Sequence, residues 1–325
     1  MLDCRRRLAI PKLGQSLLYV PRLGVGAMTW GAPTGRACLN PAKLAYGGAD
    51  SAAEEAKAFE ASIMAHVNLF DTASAYSHGA AEIRLGELAK GRDAIIASKF
   101  PVNFGTFDAA TFPEQLEASL KRLERGSIDL YQHHHPGHTD IELLMERMAD
   151  AVEAGKIRAV GVSNYSAEQM RRANAVLSRR GIPLASNQVQ YSLLHRRPEV
   201  DGVLETCREL GVTLIAYSPL AMGMLSGKYS QGERARGVRK FMPIFMWGGR
   251  RKARPLVEIL RRISGRYGAS PAQVALNWLI ANPLVLPIPG AKNGRQAADN
   301  AGALKFSLTA DEVAELDAAT LASKK

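Results

Sequence analysis

Eight short apolar runs alternate with amphipathic stretches along almost all of the 325 residues, and this alternation constrains the fold more than any other feature. The runs lie at 23–28, 67–71, 94–99, 128–134, 157–162, 184–190, 212–217 and 285–288. Each has the length and branched-aliphatic character of a strand buried on both faces. Helical patterns fall between and after them, at 51–66, 81–90, 112–124, 141–154, 167–179, 200–210, 255–267, 271–281 and near 295–303. Their ends carry signals: Ser51 and Thr111 as N-caps, Pro113 in a first turn, and Gly91, Gly126, Gly155 and Gly211 just past last turns. With no shift in composition to mark a boundary, the pattern predicts an α/β fold, one closed (β/α)8 TIM barrel spanning 1–325 as a single domain. A hairpin over 8–20, with Gly14 between its apolar runs, is expected to cover one end of the core, and a helix over 309–320 is extra.

In such a barrel the C-terminal strand tips carry function. Three consecutive runs end in polar groups: Asp71, Lys99 and His134. Tyr76 follows the acid by five residues. An acid, an amine and an imidazole around a phenol form a proton-transfer constellation. A lysine ammonium favours the phenolate and brings the hydroxyl toward useful acidity, the carboxylate keeps that ammonium charged, and a neutral imidazole orients a substrate oxygen. Spacing alone leaves open a second reading, in which Asp71 and Lys99 form an ion pair sealing the barrel top and Tyr76 is a loop aromatic. On an alternating strand His133 and His135 face away from His134, as packing or surface residues. A metal site would want carboxylates on other tips and an earlier histidine pair, which the first tip does not offer, so no metal is expected.

Gly24 and Gly26 begin a dinucleotide-like spacing, but Thr29 stands where a third glycine belongs and no helix follows until about residue 51, so a Rossmann motif is not read here. Residues 32–50 read as a glycine-bearing loop. The net charge is +11. Paired arginines read as solvated helix faces, but residues 228–254 hold nine Lys or Arg against the single acid Glu233, which suits an anionic partner such as a phosphate-bearing cofactor, nucleic acid or a membrane surface. No interleaved aromatic platform accompanies the charge, so nucleic acid is not an expected partner. Cys4, Cys38 and Cys207 share no spacing for a disulfide framework or a zinc site. With no membrane-length apolar run and no export signal, a cytoplasmic protein without a membrane partner is expected.

Particular motifs then carry a resemblance. FDTASAY at 70–76, ASKF around Lys99 and IDLYQHHHP at 128–136 resemble the catalytic motifs of the aldo-keto reductases. GVSNYS at 161–166, NQVQYSLLHR at 187–196, AYSPLAMGMLSGKY at 216–229 and PIPGAKNGRQAADNAGAL at 287–304 resemble the cofactor-binding motifs of that family. The likeness covers about 23–319 and is closest to the branch of potassium-channel β subunits and pyridoxal-reductase-like enzymes.

The resemblance implies a barrel that reduces an aldehyde or ketone to an alcohol, with hydride from NADPH and a proton from Tyr76, assisted by Asp71, Lys99 and His134. It also allows a cofactor-sensing regulatory subunit with slow chemistry. It assigns Ser163, Asn164 and Gln188 to the nicotinamide amide, for which their donors and acceptors are suited, and Tyr217 to the ring face. Ser218, Leu220, Gly223 and Ser226 would pass under the pyrophosphate, and Gly290, Ala291 and Lys292 precede a helix in the phosphate-binding place of this fold. Lys292 suggests a 2′-phosphate, with Gln296, Asp299 and Asn300 toward the adenosine. Lys228 is expected at a phosphate, and Arg236 or Arg239 over the dinucleotide within a covering loop at about 218–254. Trp30 is placed at the cofactor and substrate cleft. Two departures from the family stand out: His133 and His135 replace the usual leucine and tryptophan beside the catalytic histidine, and His66 replaces a glycine before the Asp71 strand. Neither the particular carbonyl substrate nor the oligomeric state is readable.

Overall fold

The structure, a computed structural model, describes residues 11–31, 51–100, 109–231, 245 and 249–321. Eight strands form one sheet in chain order: β1 (Val25–Gly26), β2 (Leu69–Asp71), β3 (Ile95–Phe100), β4 (Ile128–His133), β5 (Ile157–Ser163), β6 (Leu184–Gln190), β7 (Thr213–Tyr217) and β8 (Val285–Pro287). Every neighbouring pair is parallel. The two ends of the sheet meet: the amides of Gly24 and Gly26 donate to the carbonyls of Pro287 and Pro289, each at 3.0 Å, and Gly26 bridges Gly290. Ten helices surround it among the described residues: α1 (Ala52–Met64), α2 (Ala80–Ala89), α3 (Phe112–Leu123), α4 (Ile141–Glu153), α5 (Ala167–Arg179), α6 (Val203–Leu210), α7 (Gly249–Tyr267), α8 (Pro271–Ala281), α9 (Gly294–Gly302) and α10 (Ala310–Ala319).

Local chemistry accounts for most of these boundaries. Ser51, Asp140, Ser166, Ser270, Asn293 and Thr309 each accept an amide of the first turn with the side chain, and Ser166, Ser270 and Thr309 complete capping boxes. Two expectations are corrected. Thr111 makes no capping bond, because residues 109–111 already turn as a 3-10 helix with Thr111 in helical conformation; the far end of α3 closes on left-handed Glu124, where expected, with Gly126 just beyond. Helix α7 starts at Gly249 and continues through Pro255, which removes one internal bond and so looked like a beginning.

Alternation along the strands sorts the core. Outward residues such as Phe70, Ile96, Tyr131, Val160 and Leu214 pack under the helices. Inward Leu69, Ala97, Leu130, Ala159, Ala185, Ile215, Leu286 and Ile288 fill the lower interior. The expected hairpin is present, with an antiparallel bridge from Lys12 to Tyr19, and drives Leu13, Leu18 and Val20 into that cluster as a plug. Burying each of these side chains contributes on the order of 1.5–3 kcal/mol. The plug leaves the upper interior, at the strand tips, for polar side chains.

Candidate active site

Asp71 ends β2 and Lys99 is next to last in β3, and both are buried. Lys99 Nζ lies 2.5 Å from Asp71 Oδ1 and donates to the Thr72 carbonyl at 2.7 Å. Burial opposes the ammonium, but the Asp71 charge, the neighbouring Tyr76 and the hydrogen bonds to both outweigh it and raise the lysine pKa above its ordinary value. Asp71 Oδ2 accepts from Gln188 Nε2 at 2.8 Å and from Gln132 Nε2 at 3.2 Å. The buried pair thus has the additional donors that such a pair needs.

Tyr76 opens a tight turn, Tyr76–Gly79, with Lys99 Nζ 4.9 Å from its ring centroid. The ring of His134 meets the Tyr76 ring edge-on, with centroids 5.7 Å apart at 82°. Burial, then the charge on Lys99 and the neighbouring histidines, push the His134 imidazole down to about 2, so it is neutral near pH 7. Ser77 and His78 in this turn are left-handed, at φ 50° and 54°, a conformation that side chains tolerate only when their surroundings hold it. The Ser77 hydroxyl donates to the Trp30 carbonyl at 3.2 Å, and the Trp30 indole N–H donates to the Ala291 carbonyl at 2.7 Å. The Tyr76 turn and the loop after β8 are therefore tied through one residue.

From this group a cleft of about 850 Å³ runs across the barrel top. Its middle is lined by Ser163, Asn164, Gln188 and Tyr217. Ser163 Oγ donates to the Gln188 carbonyl at 2.8 Å, Asn164 Nδ2 donates to the His134 carbonyl at 3.1 Å, and Tyr217 Oη donates to Asn164 Oδ1 at 3.1 Å. The loop after β7 brings Ser218, Leu220, Gly223, Ser226 and Lys228 to the wall. Its residues Ser218, Ala221, Met222 and Gly223 all have positive φ, and backbone of this kind forms concavities in which amides bind anions. Gly290, Lys292, Gln296, Asp299 and Asn300 line the far end. There Gln296 Oε1 accepts the Lys292 amide at 3.0 Å, Asn300 Nδ2 donates to the Gly290 carbonyl at 3.2 Å, and Asp299 accepts from Ser270 Oγ and Gln273 Nε2, both at 3.1 Å.

Some residues fall elsewhere than expected. Trp30 is fully enclosed against Phe70 and does not line the cleft, because its large ring completes the core while its N–H anchors the Ala291 carbonyl. Ala291 is likewise buried, so only its flanking residues reach the wall. Arg236, Arg239 and the loop at 32–50 lie outside the described residues. His133 does pack, stacked on Phe100 at 4.9 Å and 2.7 Å from the Tyr165 hydroxyl. His135 does not share its direction: β4 stops at His133, alternation stops with it, and His135 stacks on His134 in the cleft. Gln132 and Arg295 were missed. Gln132 was readable, being a polar residue two positions from His134 on the same side of the strand. For Arg295 the only signal was its neighbours.

Comparison with known proteins identifies the family. The Aldo/keto reductase family model matches residues 22–320, and the chain belongs to that family of oxidoreductases. It is 34% identical over 331 residues to the chloroplastic pyridoxal reductase of Arabidopsis thaliana, covering 97% of this chain and 87% of that protein. It is 35% identical over 266 residues to the NADP(+) aldo-keto reductase yakc of Schizosaccharomyces pombe, covering 76% of each. An aldo-keto reductase from Klebsiella pneumoniae, solved in complex with NADPH, superimposes with a TM-score of 0.69 at 27% identity, covering 93% of this chain and 92% of that one.

Proposed function

We propose that this protein reduces an aldehyde or ketone to the alcohol with NADPH, Tyr76 giving the proton. The observation that carries the reading is the closed contact set at the barrel top: a buried lysine, kept charged by Asp71, against the Tyr76 phenol, with a neutral His134 beside it. The donor set along the cleft fits a dinucleotide. Ser163, Asn164 and Gln188 offer amide and hydroxyl groups for a carboxamide, Tyr217 offers a ring face, and the left-handed backbone at 218–223 with Lys228 offers a place for the pyrophosphate. Lys292 and Arg295 at the start of α9 suit the additional 2′-phosphate of NADPH. When bound, the reduced nicotinamide supplies hydride to the carbonyl carbon.

The chain's own groups do the rest. The neutral His134 orients the carbonyl oxygen, and Tyr76 delivers its proton to that oxygen as charge develops. The Lys99 ammonium stabilises the phenolate left behind, and Asp71, clamped by two glutamines, holds the ammonium in place.

Tyr76→Phe keeps the ring but removes the proton. NADPH oxidation with a generic aldehyde should fall by a factor of about 10² or more, while NADPH binding by fluorescence titration stays near wild type. Wild-type kcat in that variant would defeat the assignment. A regulatory subunit with slow chemistry would use the same cleft, and fast multiple turnover with a small carbonyl separates the two readings.

A further inference from the structure

Trp30 holds contacts in two directions. Its indole N–H donates to the Ala291 carbonyl at 2.7 Å, and its own carbonyl accepts the Ser77 hydroxyl at 3.2 Å. The peptide it grips is the one that presents Lys292, and the other side of that peptide is pinned as well, because the Lys292 amide donates to Gln296 Oε1 at 3.0 Å. Toward Tyr76 the fit is equally close. Gly31 has φ at 73°, a Cβ there would collide with the Ala80 carbonyl at the start of α2, and its amide donates to Glu55 Oε1 at 3.0 Å. Ser77 and His78 are left-handed, so the turn bearing Tyr76 is strained and keeps its shape only while such contacts hold it. A shift of the peptide at 291–292 is therefore passed by a fully buried ring to a turn already under strain.

We propose that Trp30 is a positioning residue, through which a phosphate bound at Lys292 orders the Tyr76 turn. The proposal rests on the NADPH reading above, which puts a 2′-phosphate at Lys292. Trp30 does not line the cleft, so it acts only through the two segments it joins. Occupation of the far end of the cleft then settles the proton donor before a carbonyl reaches it. Each link in the bridge is a single hydrogen bond, and a bond of that kind carries a coupling of about fivefold.

Adenosine 2′,5′-bisphosphate isolates the step. It has the 2′-phosphate and lacks the nicotinamide, so any effect it has at Tyr76 passes through the protein. Hydrogen exchange of the amides at 76–80 is measured with and without it in wild type, Trp30→Phe and Ser77→Ala. Phenylalanine keeps an aromatic ring in the core and removes the N–H. Alanine at 77 removes the hydroxyl at the other end of the bridge and spares the core, so it decides the matter if W30F does not fold. Saturating bisphosphate is expected to slow exchange about fivefold in wild type and less than about twofold in either variant, while calorimetry shows it still bound to all three. Equal slowing in wild type and in either folded variant would overturn the proposal, as would no slowing in wild type, whether or not the bisphosphate binds. If wild type shows the expected slowing and the variants do not, yet wild type oxidises NADPH with no aldehyde, the bridge stands and the reductase reading fails.

Discussion

His66 stands between α1 and β2 with φ at 58°, in the left-handed region. Its amide donates to the Ile63 carbonyl and that of Val67 to the Ser62 carbonyl, each at 2.9 Å, closing the helix in the manner that favours glycine. This accounts for the glycine that the family resemblance implies at that place. The imidazole is tolerated here at a conformational cost. His66→Gly is therefore expected to stabilise the fold by about 1 kcal/mol, read from the urea midpoint with an unchanged slope. At the site, Asp71, Lys99 and His134 could be found as single letters at strand tips, with Tyr76 five residues past the first of them. The direction of His135 could not, because it depends on the residue at which β4 ends.

At the scale of elements, the plug over 11–20 and the strands above it divide the barrel interior into an apolar base and a polar top. Gly14 is the point of closest approach. A Cβ there would lie 2.5 Å from the Ala185 carbonyl oxygen, and its φ is 55°. Gly91 has a similar φ of 69° but open space around it. Replacement by alanine should cost about 1 kcal/mol at Gly91 and at least 2–3 kcal/mol at Gly14, measured as the difference in unfolding free energy between the two variants. Helix and strand positions were legible because caps, glycines and hydrophobic period act within a few residues. The exceptions, Thr111 and the start of α7, arose where a 3-10 turn or an internal proline overrode the local signal.

For the whole molecule, no described helix is long and apolar enough to cross a membrane, and the excess positive charge falls partly beside the cleft at Lys228, Lys292 and Arg295. A ligand that binds only the folded chain stabilises it by about 2.7 kcal/mol at a hundred times its Kd. NADPH should accordingly raise the melting temperature more than NADH at equal concentration, and the gap should shrink as salt screens the phosphate contact. Short-range periodicity and the residues at and just past strand ends made the order of strands and helices, the barrel they imply, and Asp71, Lys99, Tyr76 and His134 as candidates readable along the chain. Folding was needed to bring both Gln132 and Gln188 onto Asp71, to put Trp30 in the core and to turn His135 toward the cleft. Those outcomes depend on contacts between residues far apart in the chain, which exist only once the sheet has closed.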